Sequence, residues 1–177
     1  MRRLCGLVLL ACAVTSAFGQ APDFGGKDQV EKMKAMDFLV GDWKGTGWYE
    51  AGGRKVNVKC SEKVSYKAGG TVLAVEGFHT MDAGGREIVI HDAYAMMYWN
   101  PELKAYRFKA HLANGLQNEF ELKPNGKGYT WFNQMPQMGK VRYTMTLTPA
   151  GEWKEIGEHE VDGKWVQMFE MVLAKTK

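Results

Sequence analysis

The stretch FLVGDWKGTGW, residues 38–48, marks the point at which the sequence changes from a helical pattern to a β pattern. Residues 28–38 (DQVEKMKAMDF) predict a helix, with an apolar stripe formed by Val30, Met33, Phe38 and either Met36 or Leu39. Asp28 is predicted to cap this helix. After the quoted stretch, short runs rich in Val, Tyr, Trp, Thr and Phe follow one another, separated by Gly pairs and Pro. The stretch therefore predicts a β domain that follows a short helix.

Short strands joined by tight turns make up the rest of the chain. Their predicted ranges are 40–50, 54–67, 71–80, 86–99, 104–113, 116–123, 127–135, 139–148, 152–160 and 164–175. The turns include Ala51-Gly52-Gly53, Ala68-Gly69-Gly70, Ala83-Gly84-Gly85, Asn125-Gly126 and Asp162-Gly163, which favour positive φ. Because every connection is too short for a crossover, neighbouring strands must be antiparallel. A meander of roughly ten strands removes its edges by closing, so the predicted fold is all-β, an antiparallel up-and-down β-barrel with a short N-terminal helix.

Alternation within the strands predicts which side chains face the lumen. Two apolar rows are expected to point inward: Val141, Tyr143, Met145 and Leu147, and Tyr106, Phe108, Ala110 and Leu112. Strand 86–99 is apolar on both faces. Its outer face is therefore expected to be covered by the helix or by a partner, and with Trp48 it is a candidate interface.

The N-terminus has the features of a secretory signal peptide. Met-Arg-Arg is followed by the apolar run LCGLVLLACAV and by TSAFGQ, with Ala17-Phe18-Gly19 as the cleavage pattern. Residues 1–19 are thus predicted to be a signal peptide, 20–37 a leader and short helix, and 38–177 the barrel domain of an exported protein, periplasmic or secreted. Leu9-Leu10-Ala11-Cys12 leaves a lipid anchor at Cys12 as an alternative. The apolar run is too short for a membrane-spanning helix, which needs roughly 20 residues.

Composition and charge exclude several classes of protein. With 177 residues, 45% hydrophobic and 12% aromatic, the chain is too apolar to be disordered. Without residues 1–19 the basic residues fall from 23 to 21 against 20 acidic ones, a net charge of +1. No basic cluster remains that would neutralise a row of phosphates, so nucleic-acid binding has no support. Once residues 1–19 are removed, Cys60 is the only cysteine, and we expect it to be a small buried side chain.

The motif Gly41-x-Trp43, which enters the first strand after a short helix, resembles that of the calycin superfamily: lipocalins, fatty-acid-binding proteins and the ten-stranded nitrobindins. The longer form Gly-x-Trp-x-Gly-x-Gly is similar to nitrobindin and to exported bacterial lipocalin-like barrels of unknown function. The segments MMYWNPELKAYRF and EHEVDGKWVQMFEMVLAK also resemble the bacterial group. The resemblance implies a lipocalin-like barrel in which the Trp packs across one end.

Candidate ligand-binding residues follow from the inward rows. If Trp43 faces inward, Gly45, Gly47 and Tyr49 do so too, and the two glycines either leave a hollow for a ligand or let the strand bend. His79 and His159 each share a face with apolar residues and are candidates for the lumen. The predicted ligand-binding set is Trp43, Gly45, Gly47, Tyr49, His79, Tyr106, Phe108, Tyr143, Met145 and His159.

Cofactor and catalytic motifs are absent from the sequence. Ser61 and Ser65 lack a Gly-x-Ser-x-Gly setting, and no His-x-x-x-His or Cys-x-x-Cys spacing occurs. Nitrobindin-like proteins hold haem through a His near the chain end, but the last strand here contains none, and His159 lies one strand earlier. Met135-Pro136-Gln137-Met138 is interpreted as cavity lining rather than as a copper site. No cofactor and no catalytic residue is therefore predicted.

The predicted function is an exported lipocalin-like barrel that binds a small hydrophobic or amphipathic ligand in its lumen without catalysis. Two alternatives stay open: a nitrobindin-like haem-binding protein, and an enzyme that uses a lumen His–carboxylate pair. Glu119 and Glu155 are the candidate carboxylates, and either is expected to pair with Arg142.

Overall fold

The computed structural model describes residues 26–136 and 138–177. The predicted signal peptide, the alternative anchor at Cys12 and most of the leader lie outside these residues. The chain begins with helix α1 (Lys27–Met33) and a 3-10 helix (Lys34–Leu39). The strands are β1 (Gly41–Ala51), β2 (Arg54–Lys67), β3 (Val72–Asp82), β4 (Glu87–Asn100), β5 (Ala105–Leu112), β6 (Gln117–Pro124), β7 (Gly128–Met135), β8 (Gly139–Leu147), β9 (Trp153–Val161) and β10 (Lys164–Lys175).

The strands form a closed antiparallel barrel. Each pairs with its neighbours in sequence, and β1 pairs with β10 from Trp43↔Lys175 to Tyr49↔Phe169. The predicted fold class is confirmed, and no strand boundary differs from its prediction by more than two residues. The turn glycines explain this agreement, because Gly52 (φ 59°) and Gly163 (φ 73°) adopt the left-handed backbone that L side chains avoid.

The N-terminal helical segment seals one end of the barrel. Met33, Met36 and Leu39 are at most 1% exposed and pack into the core. Tyr106 Oη donates to the carbonyl of Lys32 at 2.8 Å, which ties β5 to α1. The predicted cap is wrong: Gly26 (φ 90°) is the N-cap and makes no side-chain cap bond, so Asp28 lies within the first turn.

Trp43 packs across this sealed end. Its side chain is 1% exposed, and its Nε1 donates to the carbonyl of Leu39 at 2.8 Å. Its ring meets that of Trp153 edge-on, with centroids 5.8 Å apart and planes at 74°. This buried pair separates the helical end from the lumen and forms the floor of the barrel interior.

The strand glycines of β1 allow β10 to approach closely. A Cβ on Gly45 would lie 2.0 Å from the carbonyl oxygen of Val172, and one on Gly47 would lie 2.4 Å from that of Glu170. Neither glycine lines the lumen cavity described below. Their role here is backbone contact between the first and last strands, rather than a hollow beside Trp43.

The outer face of the β3–β4 pair stays exposed. Phe78 and Tyr94 are both 44% exposed, and Val89 is 52% exposed. The helix was one of the two covers expected for this face. Within the described residues, it leaves these side chains exposed. The helices of the described part are also too short or too polar to cross a bilayer.

Candidate functional site

A cavity of about 490 Å³ occupies the barrel between the Trp153 floor and the end opposite α1. All ten strands contribute side chains to its wall, because every strand points alternate residues inward. Trp153 and Met97 lie toward the sealed end, while Ile90, Leu116 and Met135 lie toward the hairpins of the other end. The volume suits a drug-sized molecule, since ligand cavities span roughly 300–1,000 Å³.

Seven rings form an aromatic belt around the cavity: Phe108, Phe120, Trp131, Tyr143, Phe169, His79 and His91. Trp131 and Tyr143 stack with centroids 4.3 Å apart and planes at 9°. Phe120 and Trp131 stack at 4.6 Å, and His79 and His91 lie 4.7 Å apart. The belt gives the wall large flat surfaces that can pack against an apolar or aromatic ligand.

The strands β6 and β7 share fewer backbone pairs than any other neighbouring strands of the barrel. Register pairs join these strands only at Lys123↔Thr130 and Pro124↔Tyr129, next to their hairpin. Further along, β6 and β7 share no backbone pairing, and the stacked rings of Phe120 and Trp131 face each other across the separation. In this part of the wall, side-chain stacking replaces backbone pairing between the two strands.

A buried carboxyl–imidazole pair lies in the cavity wall. Glu62 on β2 is 8% exposed and His79 on β3 is 7% exposed, with Glu62 Oε1 3.1 Å from His79 Nε2. Gly77, opposite Glu62 in register, makes room for the carboxyl, since a Cβ there would lie 3.0 Å from both of its oxygens. Burial raises the pKa of Glu62 to about 8 and lowers that of His79 to about 4. At pH 7, Glu62 is therefore protonated and His79 is neutral.

A second buried carboxyl, Glu155 on β9, faces the same cavity. It is 9% exposed, and its Oε2 accepts a hydrogen bond from Trp153 Nε1 at 3.1 Å. Burial and the charge of Glu62 raise the pKa of Glu155 to about 7, against the lowering effect of the Trp153 hydrogen bond. The two carboxyls are thus close enough to influence each other electrostatically.

The other titratable groups near these carboxyls are neutral at pH 7. Burial raises the pKa of the Cys60 thiol and of the Tyr143 hydroxyl to about 12, and it raises that of Tyr129 well above its ordinary value. Burial also lowers the pKa of His91 to about 4. Among the described residues, no Lys or Arg lines the cavity. The polar part of the wall consequently consists of acids and neutral hydrogen-bonding groups.

The structure brings part of the predicted binding set into the cavity. Four predicted residues line it: Tyr49, His79, Phe108 and Tyr143. Six do not: Trp43, Gly45, Gly47, Tyr106, Met145 and His159. Trp43 and Met145 are buried in the core below the cavity, and Tyr106 holds α1. His159 pairs with Val141 and Val166 near the hairpin end of β9 and does not reach the cavity.

Several polar residues of the site were missed or wrongly paired by the sequence analysis. Glu62 and His91 were not among the candidates, although Glu62 interrupts an otherwise apolar row of β2. Arg142 pairs with Glu158, Nη2 to Oε2 at 2.6 Å, rather than with Glu155. Glu119 lies outside the cavity, where its Oε1 accepts from Arg107 Nε at 2.9 Å. Of the two candidate carboxylates, only Glu155 faces the lumen.

The lumen does not match the haem site that the resemblance implies. His159, the His nearest the expected position, lies outside the cavity. Of the two histidines that line it, His79 has its Nε2 beside Glu62, and His91 lies on β4, away from the chain end. The described residues also contain no group of three or more His, Cys, Asp or Glu side chains placed to hold a metal ion.

Comparison with known proteins supports the fold alone. The crystal structure of Rv2717c from M. tuberculosis is similar, with a TM-score of 0.59 and 12% sequence identity over 82% of this chain and 97% of that chain. No protein-family model matches the chain, and no curated protein matches it in sequence. The closed ten-stranded antiparallel barrel thus fits a calycin-like barrel at the level of architecture.

Proposed function

We propose that this protein is a lipocalin-like binding barrel whose lumen holds a small amphipathic molecule without transforming it. The observation that carries the proposal is the cavity of about 490 Å³ bounded by the aromatic belt. A solid core of close-packed side chains is the usual filling of a small barrel, whereas this one keeps space beside stacked rings. Cavities that are mostly apolar with a few polar groups are typical of small-molecule sites.

Wall chemistry also favours an amphipathic ligand over a purely apolar one. Apolar and aromatic side chains dominate the belt, while Glu62, Glu155 and the two histidines provide hydrogen-bonding groups on one part of the wall. Buried polar groups are costly unless they are satisfied, so a ligand with one polar end would use both parts. We propose the stretch where β6 and β7 lack backbone pairing as the ligand's route to the belt.

Binding is tested with N-phenyl-1-naphthylamine, an uncharged fluorophore that brightens in apolar surroundings. The wild-type protein should give saturable fluorescence at one site. Ala93→Trp adds an indole to a cavity-lining position of β4 and should abolish this signal. Val89→Trp adds the same ring at an exposed position of the same strand and should leave it intact. Absence of saturable binding in the wild type, or equal binding in both variants, would refute the proposal.

We also propose that the protein is exported, to the periplasm or to the medium, on the strength of its N-terminal signal pattern. N-terminal sequencing of the protein recovered from an exporting host should find a chain that begins near Gln20. A lipid-modified N-terminus at Cys12 would support the lipid anchor, and an intact Met1 in exported protein would indicate an N-terminal anchor that stays attached. Recovery of the protein with an intact Met1 from the cytoplasm alone would contradict export.

An enzyme is the second candidate function, favoured by one contact. His79 and Glu62 are within hydrogen-bonding distance at 3.1 Å and both line the cavity, so they could move a proton to or from a bound molecule. Chemical change of a bound compound, monitored by mass spectrometry and lost in His79→Gln, would favour this candidate. Recovery of every bound compound unchanged would favour simple binding.

A further inference from the structure

Two buried carboxyls face the lumen cavity without a basic residue to balance them. Glu62 approaches from β2 and Glu155 from β9, and each is less than 10% exposed. Among the described residues, no hydrogen bond reaches Glu62 Oε2 or Glu155 Oε1. Most buried carboxylates are paired with a cation, so these two groups have acceptor capacity that the described protein does not use.

We propose that the ligand of this cavity is an amphipathic cation, an amine whose ammonium group lies beside the Glu62 and Glu155 carboxyls and whose apolar body lies along the aromatic belt. This inference rests on the proposed binding function and names its ligand class. An ammonium group would supply the positive charge that the cavity wall lacks and would donate hydrogen bonds to the free carboxyl oxygens.

The aromatic belt suits the same class of ligand. Trp131 stacks between Tyr143 and Phe120, so these rings offer the ligand apolar surface rather than a free face for its cation. Phe108 and Phe169 extend this surface for the apolar body of the molecule. A cationic head and an apolar body would thus both find partners within one cavity.

An anionic ligand such as a fatty acid is disfavoured by the same wall. Its carboxylate would need Arg or Lys as a partner, and neither residue type is among the described lining residues. Above pH 8, where Glu62 and Glu155 are largely ionised, it would also face two negative charges across a medium of low dielectric, where repulsion between like charges is strong. Above pH 8 we therefore expect the ammonium to bind most tightly, the neutral alcohol less tightly and the carboxylate most weakly.

Ionisation of the two carboxyls links amine binding to pH. An ammonium prefers ionised carboxylates, and burial keeps Glu62 and Glu155 partly protonated near neutrality. Amine affinity should consequently rise as the pH increases from 6 to 8.5, with protons released on binding. Tyr49 also lines the cavity. Burial moves the pKa values of the other titratable groups near the two carboxyls outside this range: Cys60, His79, His91, Tyr129 and Tyr143.

The test compares three probes that share one body: 4-phenylbutylamine, 4-phenylbutanol and 4-phenylbutanoic acid. Calorimetric titration at pH 8.5 should show the amine binding at least about 10-fold more tightly than the alcohol, since a hydrogen bond between charged groups is stronger than one made by a neutral hydroxyl. The acid should bind most weakly. The amine's advantage should shrink on going from pH 8.5 to pH 6.

Matched variants locate the effect. Glu62→Gln/Glu155→Gln should bring the amine and the alcohol to within about 2-fold of each other, as the net ion pair is lost. Glu50→Gln/Glu121→Gln removes the same net charge from exposed positions and should keep the preference. N-phenyl-1-naphthylamine should bind to both double variants, which shows that the lumen remains intact.

The results for the amine and for the fluorophore test two different proposals. Three results would overturn the proposed amine ligand: equal binding of amine and alcohol by the wild type, tighter binding of the acid, or an amine preference that survives Glu62→Gln/Glu155→Gln. The binding function would still be supported in these cases if the fluorophore binds. Failure of the fluorophore and of all three probes to bind would overturn the binding function itself.

Discussion

Replacing Glu62 by Gln should stabilise the barrel, and the gain should grow with pH. Gln has the same shape and can still hydrogen-bond to His79, but it cannot ionise. In the wild type, burial raises the pKa of Glu62 from its ordinary 4.5 to about 8. Between these values the folded protein holds a proton that the unfolded chain has released, so wild-type stability falls as the pH rises.

The size of this effect follows from the shift in pKa. A difference of about 3.5 units, at 1.36 kcal/mol per unit, gives an upper estimate of about 5 kcal/mol. Glu62→Gln should therefore match the wild type near pH 4.5, gain up to about 1.4 kcal/mol of unfolding free energy per pH unit, and level off above pH 8.

Urea denaturation at constant ionic strength, repeated from pH 4.5 to pH 9, measures this difference. Glu155→Gln should show a smaller gain that levels off near pH 7, because burial raises its pKa only to about 7. Glu121→Gln, at an exposed site, should give a difference that does not change with pH. A flat difference for Glu62→Gln, or one that falls as the pH rises, would refute the account of a protonated, buried carboxyl.

Three further predictions concern the packing around the cavity. Trp43→Phe removes the hydrogen-bond donor to the Leu39 carbonyl and should lower the free energy of unfolding by about 1–3 kcal/mol in urea denaturation. An unchanged free energy of unfolding would contradict the role of Trp43 in sealing the barrel. Gly45→Ala places a Cβ against the backbone of β10 and should cost about 3 kcal/mol or more by the same measurement, unlike Thr46→Ala. Labelling of the Cys60 thiol at pH 8 should be about 1,000-fold slower in the folded protein than in urea, because burial raises the pKa of this thiol to about 12. Peptide mass spectrometry measures the rate at this residue, and rapid labelling of the folded protein would contradict a buried thiol.

The strand order and turns were predictable because their signals are local. A glycine pair such as Gly52-Gly53 marks a backbone that few other residues adopt, and the pair appears at the boundary between β1 and β2. Antiparallel closure then follows from short connections without any knowledge of long-range contacts. The inward row of β8, which includes Tyr143 and Met145, was predicted by its period of two alone.

The residues that line the cavity were harder to predict, because a β-bulge changes which side chains of a strand face inward. Register shifts occur between His79 and Thr80 and between Gln167 and Phe169, and a bulge of this kind changes which residues face inward. His159 misses the cavity for another reason: it alternates with Trp153 and Glu155 on β9, but it lies near the hairpin end of the strand, beyond the residues that line the cavity. No local signal in the sequence marks either bulge.

Glu62 illustrates a signal that was present but not used. It occupies an inward position of β2 between Cys60 and Val64, both of which are buried. A carboxyl in such a row is costly without compensation, and that cost itself points to a role. Its partner His79 and the space left by Gly77 lie on the neighbouring strand, and only the register of β2 with β3 brings them together.

A crystal structure of the protein soaked with N-phenyl-1-naphthylamine tests the binding account most directly. The account predicts that the fluorophore lies inside the barrel, above Trp153 and against the rings of Trp131 and Tyr143, with the ten strands unchanged. A lumen filled by the protein's own side chains, or a fluorophore found only on the outer surface, would contradict it.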